Sequence, residues 1–286
     1  MKSLVTSVPP PEPELITVFL ASPGGLSVER EITRDVVQRL NANIAQRLGA
    51  HLSLIMWEDE VPRFGRPQDL INRRGDTADL FIGLVYRRWG TPTGAYDSGF
   101  AEEFDRAATR RRAKGKPEIM LCFREVDRES VEDAGPQLAK VLDFKREVEA
   151  QGELLYASVA DSSEWRDRLT EWLTSYLIDR RNESAVERTA ERASAVQLED
   201  PTGKAVEELR YMLARAVNEL PETQKIVMTL RYYENFRLDE IANLLRITEE
   251  ATADVLDRAL TNVRLALGKV GIATNEDVIA LLGEVD

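Results

Sequence analysis

The sequence predicts an α/β domain followed by an all-helical domain. Short apolar runs alternate with amphipathic stretches between residues 15 and 180, whereas the apolar periodicity from residue 203 onward is wholly helical. The length of 286 residues also suits two domains, at roughly 100 to 200 residues each. Five strands that alternate with five helices indicate a parallel sheet covered by helices on both faces.

The predicted elements of the first domain follow one another in regular alternation. The strands are the apolar runs ITVFLAS, HLSLIMW, DLFIGLVY, EIMLCF and GELLYAS. The helices are expected near residues 27–48, 68–73, 99–112, 136–150 and 163–180. In sheets of this kind ligands bind beyond the carboxyl ends of the strands, so the loops that follow the strands are the places to search for a site.

The chain divides into four predicted segments. Residues 1–14 are rich in proline and are expected to form a flexible leader. The α/β domain is expected at residues 15–180 and the helical domain at residues 203–286. Between them, residues 181–202 are charged and poor in large apolar side chains, which favours a linker or an exposed helix.

Composition and charge exclude several classes of protein. The net charge of −12, from 38 basic and 50 acidic residues, disfavours a nonspecific polyanion binder. A single cysteine, Cys122, and a single histidine, His51, exclude an internal disulfide and a Cys/His zinc centre. No apolar stretch approaches the ~18 residues of a membrane span, and no secretion signal precedes the domains. We therefore expect a cytoplasmic protein without a metal and without membrane contact.

The segment ELRYMLARAVNELPETQKIVMTLRYYENFRLDEIANLLRITEEATADVLDRALTNVRLAL resembles region 4 of bacterial sigma factors. Leu220 and Pro221 open a helix, LRYYENFRLDEIA leads into the helix-turn-helix, and the spacing from Glu240 to Leu260 is that of the family. A small core is expected from Ile241, Leu244, Leu245, Ile247, Leu256 and Leu260.

The resemblance implies that the second helix of this motif, from Thr248, enters the major groove of a promoter. Where the family carries basic residues, this helix has Ala253, Asp254 and Val255. Its carboxylates are Glu249, Glu250, Asp254 and Asp257, offset only by Arg258 and Arg264. This charge disfavours sequence-specific promoter DNA. A protein partner or self-association is expected instead, with a structured or single-stranded nucleic acid on another face as the open alternative.

Two loops at the ends of predicted strands suit a nucleotide. Ser22, Pro23, Gly24 and Gly25 place backbone amides before a helix, where a phosphate could lie, although a purely structural turn fits equally well. Arg87, Arg88 and Trp89 would suit a pyrophosphate and a stacked ring, with an edge tryptophan and a solvated basic pair as the alternative.

The segments ITVFLASPGGLSVEREITRDVVQRL, DTADLFIGLVYRRWGTPTG and SGFAEEFDRAATRRRAKGKPEIMLCF resemble TIR-like domains of bacterial defence and signalling proteins and the related nucleoside deoxyribosyltransferases. The resemblance implies a flavodoxin-like or TIR-like sheet. It also aligns Glu103 with the glutamate that attacks or stabilises the anomeric carbon as an N-glycosidic bond breaks. Glu102 is the less favoured candidate, because neighbours on a helix point about 100° apart. The alternative is that both carboxylates only complement the helix dipole.

The strongest basic cluster consists of Arg110, Arg111 and Arg112, with Lys114 and Lys116 nearby. It is either a solvated helix end or a contact for phosphate or nucleic acid.

Three functions are consistent with the sequence. The leading hypothesis is an antiphage effector whose TIR-like domain cleaves an N-glycosidic bond in NAD or another nucleotide, taken as substrate and without a cofactor. An operon-encoded protein or ribonucleoprotein partner, or self-assembly, would control it through the helical domain. The competing hypothesis is a nonenzymatic regulator whose region 4-like domain contacts RNA polymerase or DNA while the α/β domain senses a nucleotide or partner. The third is an adaptor that binds only proteins.

Overall fold

The computed structural model describes residues 13–59, 67–195, 201–268, 272 and 274–283. It separates into two compact units, Met1–Leu169 and Thr170–Asp286, and each is described by itself. All but the last two residues of the predicted leader lie outside the described residues.

The first unit is built on a five-stranded parallel sheet, as predicted. The strands are β1 (Glu14–Ala21), β2 (Ala50–Met56), β3 (Leu80–Val85), β4 (Glu118–Arg124) and β5 (Tyr156–Val159). Their order is β2-β1-β3-β4-β5, and every neighbouring pair is parallel. All six residues of β3 are buried, because this central strand is covered on both faces.

Helices lie on both faces of this sheet. They are α1 (Ser27–Leu40), continued by a π-helical turn (Asn41–Ala45), α2 (Pro67–Gly75), α3 (Gly99–Lys114), α4 (Arg128–Glu132), α5 (Pro136–Gln151) and α6 (Ser162–Ala195). One core contains Phe81 of β3, Phe100 of α3 and Phe144 of α5. Toward α1, the buried indole of Trp165 donates from Nε1 to the Glu29 carbonyl at 3.2 Å.

Two local features differ from the predicted elements. The run GELLYAS begins in a turn, because Gly152 ends α5 with a left-handed φ of 64°, and β5 is therefore only four residues long. The short helix α4 was not predicted. Its first turn is capped by Asp127, whose side chain accepts a hydrogen bond from Ser130 N at 2.8 Å.

The outer strand β2 is bordered by one side-chain amide. Asn41 donates from Nδ2 to the Leu52 carbonyl at 2.8 Å and accepts from Leu52 N at 2.8 Å. These two bonds satisfy the backbone groups of Leu52 that point away from β1.

The described part of the second unit contains the end of α6 and five further helices. They are α7 (Pro201–Asn218), α8 (Glu222–Met228) with a π-helical turn (Thr229–Tyr233), α9 (Leu238–Leu245), α10 (Glu249–Leu267) and α11 (Asn275–Gly283). The predicted breaks at Pro221, near Asn235, at Thr248 and at Gly268 all fall at helix ends.

Helices α9 and α10 form the predicted helix-turn-helix. Arg246 adopts a left-handed conformation with φ 55° in the turn, and Thr248 caps α10 by accepting from Ala251 N at 3.1 Å. Of the expected core, Ile241, Leu256 and Leu260 are buried and Leu244 and Leu245 are half-buried. The exception is Ile247, which is exposed because it lies in the turn just before the α10 cap.

The boundary between the units lies earlier than residue 180. Helix α6 runs through that position and through residues 181–195 of the predicted linker, while residues 196–200 lie outside the described part of the chain. Asp179 lies 2.5 Å from Lys225 of α8, and Arg181 lies 3.2 Å from Glu234. Charge and low apolar content favoured a linker or an exposed helix; residues 181–195 are helical, and these ion pairs make the second half of α6 part of the helical unit.

Among the described residues, no helix combines the length and the apolar run that crossing a bilayer requires.

Candidate functional site

The predicted phosphate loop and one predicted arginine meet at the carboxyl edge of the sheet. Gly24 and Gly25 follow β1, and a Cβ atom at Gly24 would lie 3.8 Å from Arg88 Nη1. Gly25 has a φ of 94°, which favours glycine. The Arg88 side chain is exposed, and no ion pair joins it to any residue that the structure describes. The glycines therefore let a guanidinium that pairs with no described carboxylate lie against the loop.

Ser22 supports this loop from beneath. Its side chain is buried, and its hydroxyl accepts a hydrogen bond from Arg30 Nη1 at 3.3 Å, while the Pro23 carbonyl accepts from the same nitrogen at 3.4 Å. Arg30 Nε lies 2.8 Å from the Glu58 carboxylate. Ser22 and Pro23 are thus held by the protein, and the exposed glycines remain the part of the loop that could contact an anion.

The structure does not favour the predicted stacking role of Trp89. Its ring is only 7% exposed and packs 5.6 Å from the Phe100 ring and 5.1 Å from the Phe144 ring. A tryptophan in an aromatic core has no free face for a substrate ring. Arg87 is paired with Asp127, so of the Arg87–Trp89 trio only Arg88 is available.

A buried polar cluster beside this edge was missed by sequence reasoning. The Glu29 carboxylate is 1% exposed and accepts from Arg124 Nη1 at 2.6 Å and from Ser162 Oγ at 2.8 Å. The Arg124 guanidinium also lies 4.6 Å from the Tyr86 ring centroid. The signal that could have found the cluster is an arginine that closes the apolar run EIMLCF at the carboxyl end of β4.

The side chain of Glu102, on α3, lies between α2 and the loop that follows β3. Its carboxylate is 4% exposed and accepts from Asn72 Nδ2 at 2.7 Å and from Thr93 Oγ1 at 2.6 Å. Two donors on separate elements hold this group, which makes a structural role the simplest interpretation.

Glu103 lies beside Glu102 in a different environment. Its carboxylate accepts from Gln68 Nε2 at 2.9 Å. The pKa of Glu103 is raised from 4.5 to about 7, chiefly by burial and also by the neighbouring Glu102 charge, while the hydrogen bond from Gln68 acts in the opposite direction. The Glu103 carboxyl therefore exchanges a proton near neutral pH.

The cleft beside Glu103 is narrow. Its volume of about 10 Å³ is enough for about one water molecule. It is lined by Phe19, Asn72, Gly75, Asp76, Phe81, Arg106, Ala107 and Arg110. None of the predicted substrate residues in Ser22–Gly25 or Arg87–Trp89 lines it, so the two predicted parts of one site lie in separate places.

The basic cluster at the end of α3 is largely neutralised. Arg111 lies 2.7 Å from Glu118 and Arg112 lies 2.8 Å from Glu153. Arg110 donates to the backbone carbonyls of Gly75 and Ala78. These contacts favour a structural role over the predicted contact with phosphate or nucleic acid.

In the helical unit, the outer face of α10 is acidic. Glu249, Glu250, Asp254 and Asp257 are all exposed. Arg258 is exposed as well, whereas Arg264 is half-buried. Among the described residues, no group of three or more His, Cys, Asp or Glu side chains could hold a metal ion.

Comparison with known proteins matches the two units separately. The family described as a domain of unknown function, DUF4062, matches residues 17–174, and the family described as Sigma-70, region 4 matches residues 210–267. The latter match confirms the predicted sigma region 4 domain, whereas the TIR-like assignment of the α/β unit stays a prediction.

Two curated relatives resemble the chain over a limited stretch. The RNA polymerase sigma factors FliA of Salmonella typhimurium and of Escherichia coli (strain K12) are each 33% identical over 75 residues, 26% of this chain and 31% of FliA. The chain thus spans about a third of the length of these relatives. Since the first family match extends over more than half of its residues, the chain belongs to the DUF4062 family and carries a sigma-70 region 4 domain in its helical unit.

Proposed function

We propose that this protein is a regulator that acts at RNA polymerase. Its region 4 domain contacts the polymerase, and its α/β unit binds a nucleotide or a protein partner that controls this contact. The family match and the FliA relatives support a role connected with transcription.

The acidic charge of α10 is the reason why we propose a contact with the polymerase rather than with DNA. Four exposed carboxylates on the helix that reads DNA in region 4 would repel phosphates. The same face complements a basic protein surface and would speed its encounter with one. We therefore assign α10 to a protein contact.

The α/β unit offers the regulatory site at the loop Gly24–Gly25. The Arg88 guanidinium, which pairs with no described carboxylate, lies against these glycines, and an arginine is a good partner for phosphate. A phosphate-bearing nucleotide fits this chemistry.

Charge reversal on α10 tests the polymerase contact. We expect the full-length double variant Glu250→Lys/Asp254→Lys to bind purified core RNA polymerase about tenfold more weakly, because rim charges steer and hold such complexes. Biolayer interferometry at physiological salt measures this. The control Glu147→Lys reverses an exposed charge on α5 and should bind like the wild type. Tight, sequence-selective binding of promoter DNA by the wild type, without polymerase binding, contradicts the proposal.

A second candidate function follows from Glu103. A carboxyl with a pKa of about 7 beside a second carboxyl is suited to proton transfer at neutral pH. This supports the hypothesis that the α/β unit, as an effector in defence, cleaves an N-glycosidic bond of NAD or another nucleotide. The narrow cleft must widen to admit a ribose, which places this candidate second.

Base release from NAD and a nucleoside panel tests the second candidate. Glu103→Gln should lower the rate by about 100-fold or more, as expected for loss of an acid–base group, while Glu147→Gln should leave it unchanged. Chromatography of the free base measures the rate. If wild type and Glu103→Gln release base equally fast, Glu103 has no catalytic role.

A further inference from the structure

An exposed tryptophan lies at the carboxyl edge of the sheet, beside the candidate phosphate loop. Trp57 follows β2 directly and is 45% exposed. The guanidinium of Arg30 lies 5.7 Å from the centroid of the Trp57 ring, and Arg30 Nη1 donates to Ser22 Oγ and to the Pro23 carbonyl. Arg30 is itself only 5% exposed. A buried arginine thus links the exposed ring to the loop that follows β1.

The other side of this loop faces Arg88. A Cβ atom at Gly24 would lie 3.8 Å from Arg88 Nη1, and one at Gly25 would lie 3.7 Å from Arg88 Cδ. Because β1 lies between β2 and β3 in the sheet, its loop separates the flat ring from the cation. The ends of β2 and β3 are two strand spacings apart, about 10 Å. The strand order also reverses between β1 and β3, which is where sheets of this order bind their ligands.

The chemistry of these groups specifies the ligand. An exposed indole stacks on flat aromatic rings, and a purine base offers a larger ring to it than a pyrimidine does. A guanidinium is a strong partner for phosphate. In a nucleotide the ribose holds a base and a phosphate apart, as the loop holds Trp57 and Arg88 apart. Glu58, which follows Trp57, lies 2.8 Å from Arg30 and 3.7 Å from Arg34, so its negative charge is offset within the protein.

We propose that this edge binds a purine nucleoside 5′-phosphate, with the base stacked on Trp57 and the phosphate on Arg88 and the Gly24–Gly25 loop. The inference rests on the proposed function in one respect, the phosphate at Arg88, and it adds the base and the residue that recognises it. Trp57 supplies the stacking ring that the sequence suggested for the buried Trp89. It distinguishes a nucleotide from other phosphate compounds.

Calorimetry of the full-length protein with adenosine 5′-monophosphate, guanosine 5′-monophosphate and ribose 5-phosphate tests this site. We expect the wild type to bind at least one of the two purine nucleotides more tightly than ribose 5-phosphate. Trp57→Ala should weaken that nucleotide at least about tenfold, as expected when a base loses its aromatic partner, and leave ribose 5-phosphate binding unchanged. Trp57→Phe should keep most of the affinity. Arg88→Gln should weaken binding of both the nucleotide and ribose 5-phosphate. Leu155→Ala, which removes an apolar side chain that is 95% exposed, is the matched control and should bind like the wild type.

Tryptophan fluorescence gives a second readout of stacking. Two of the four tryptophans, Trp89 and Trp165, are buried. The nucleotide should therefore quench the emission of Trp57, ribose 5-phosphate should not, and the quenching should be absent in Trp57→Phe.

The same measurements distinguish failure of the base site from failure of the proposed function. A wild type that binds neither purine nucleotide at millimolar concentrations, or equal nucleotide affinities of the wild type and Trp57→Ala, overturns the inference. Binding of ribose 5-phosphate that is lost in Arg88→Gln would in either case leave the phosphate loop of the proposed function standing. The polymerase contact of α10 is measured separately and does not depend on Trp57.

Discussion

Replacing Glu103 by glutamine is expected to stabilise the α/β unit at alkaline pH by up to about 3 kcal/mol. The folded protein holds the pKa of Glu103 at about 7, against 4.5 for the free group, and each unit of pKa difference corresponds to about 1.4 kcal/mol. The folded state therefore binds this proton more tightly than the unfolded state, and stability falls as the pH rises from 4.5 to 7. Below pH 4.5 both states are protonated and the effect disappears.

Urea unfolding at pH 4 and pH 8.5 measures this difference. The amide of Glu103→Gln keeps an oxygen that can accept from Gln68 Nε2, so the hydrogen bond of the wild type survives. Glu102→Gln is the contrasting control: its carboxylate accepts from both Asn72 and Thr93, and an amide nitrogen would oppose one of these donors. This variant should be destabilised. If the free energy of unfolding depended on pH in the same way in the wild type and in Glu103→Gln, the pKa of Glu103 would not be raised by folding.

A helical fragment that begins at residue 203 is expected to fail to fold stably, whereas one that begins at residue 170 should fold. Lys225 is buried and keeps its charge beside Asp179 of α6. Asp179 is 38% exposed and Lys225 also lies 3.4 Å from Glu222, so the loss of Asp179 costs less than the about 3 to 5 kcal/mol of a fully buried pair. The shorter fragment also loses the buried hydrogen bond from Asn182 to Thr229. Since a small domain has a total stability of only about 5 to 15 kcal/mol, these combined losses are a substantial fraction of it.

Circular dichroism during thermal unfolding compares the two fragments. The longer fragment should unfold in a cooperative transition, whereas the shorter fragment should lose its helicity gradually and at a lower temperature. Asp179→Ala in the longer fragment is the matched variant, and it should lower the melting temperature without abolishing the transition. Equal transitions for both fragments would place the domain boundary back near residue 203.

The regular parts of the fold were predictable from periodicity. Apolar runs of strand length and the breaks at Pro221 and Thr248 marked elements that the structure contains, because burial on a sheet or along a helix stripe imposes these patterns. The second half of α6 was not predictable in the same way. Its charged residues, such as Asp179 and Arg181, look solvated in sequence, and only the positions of Lys225 and Glu234 in space show that they are paired.

Of the candidate site, the loop at Gly24–Gly25 was the part that could be predicted from the sequence. The turn at Gly24–Gly25 follows from glycine after a strand, and Arg88 is at the end of β3 in sequence and in space. The burial of Trp89 was not predictable, because the sequence does not show that Phe100 and Phe144 converge on its ring. Glu29 and Arg124 are 95 residues apart, and nothing local in either segment predicts their pairing.

The amide of Asn41 determines how the sheet ends at β2. An outer strand presents backbone groups that can template a strand from another chain, which is a route to aggregation. By bonding both outward groups of Leu52, Asn41 imitates one residue of a neighbouring strand and occupies the middle of that edge. An incoming strand cannot pair continuously along β2 while this side chain remains in place. A single amide thus protects the edge, without a sixth strand.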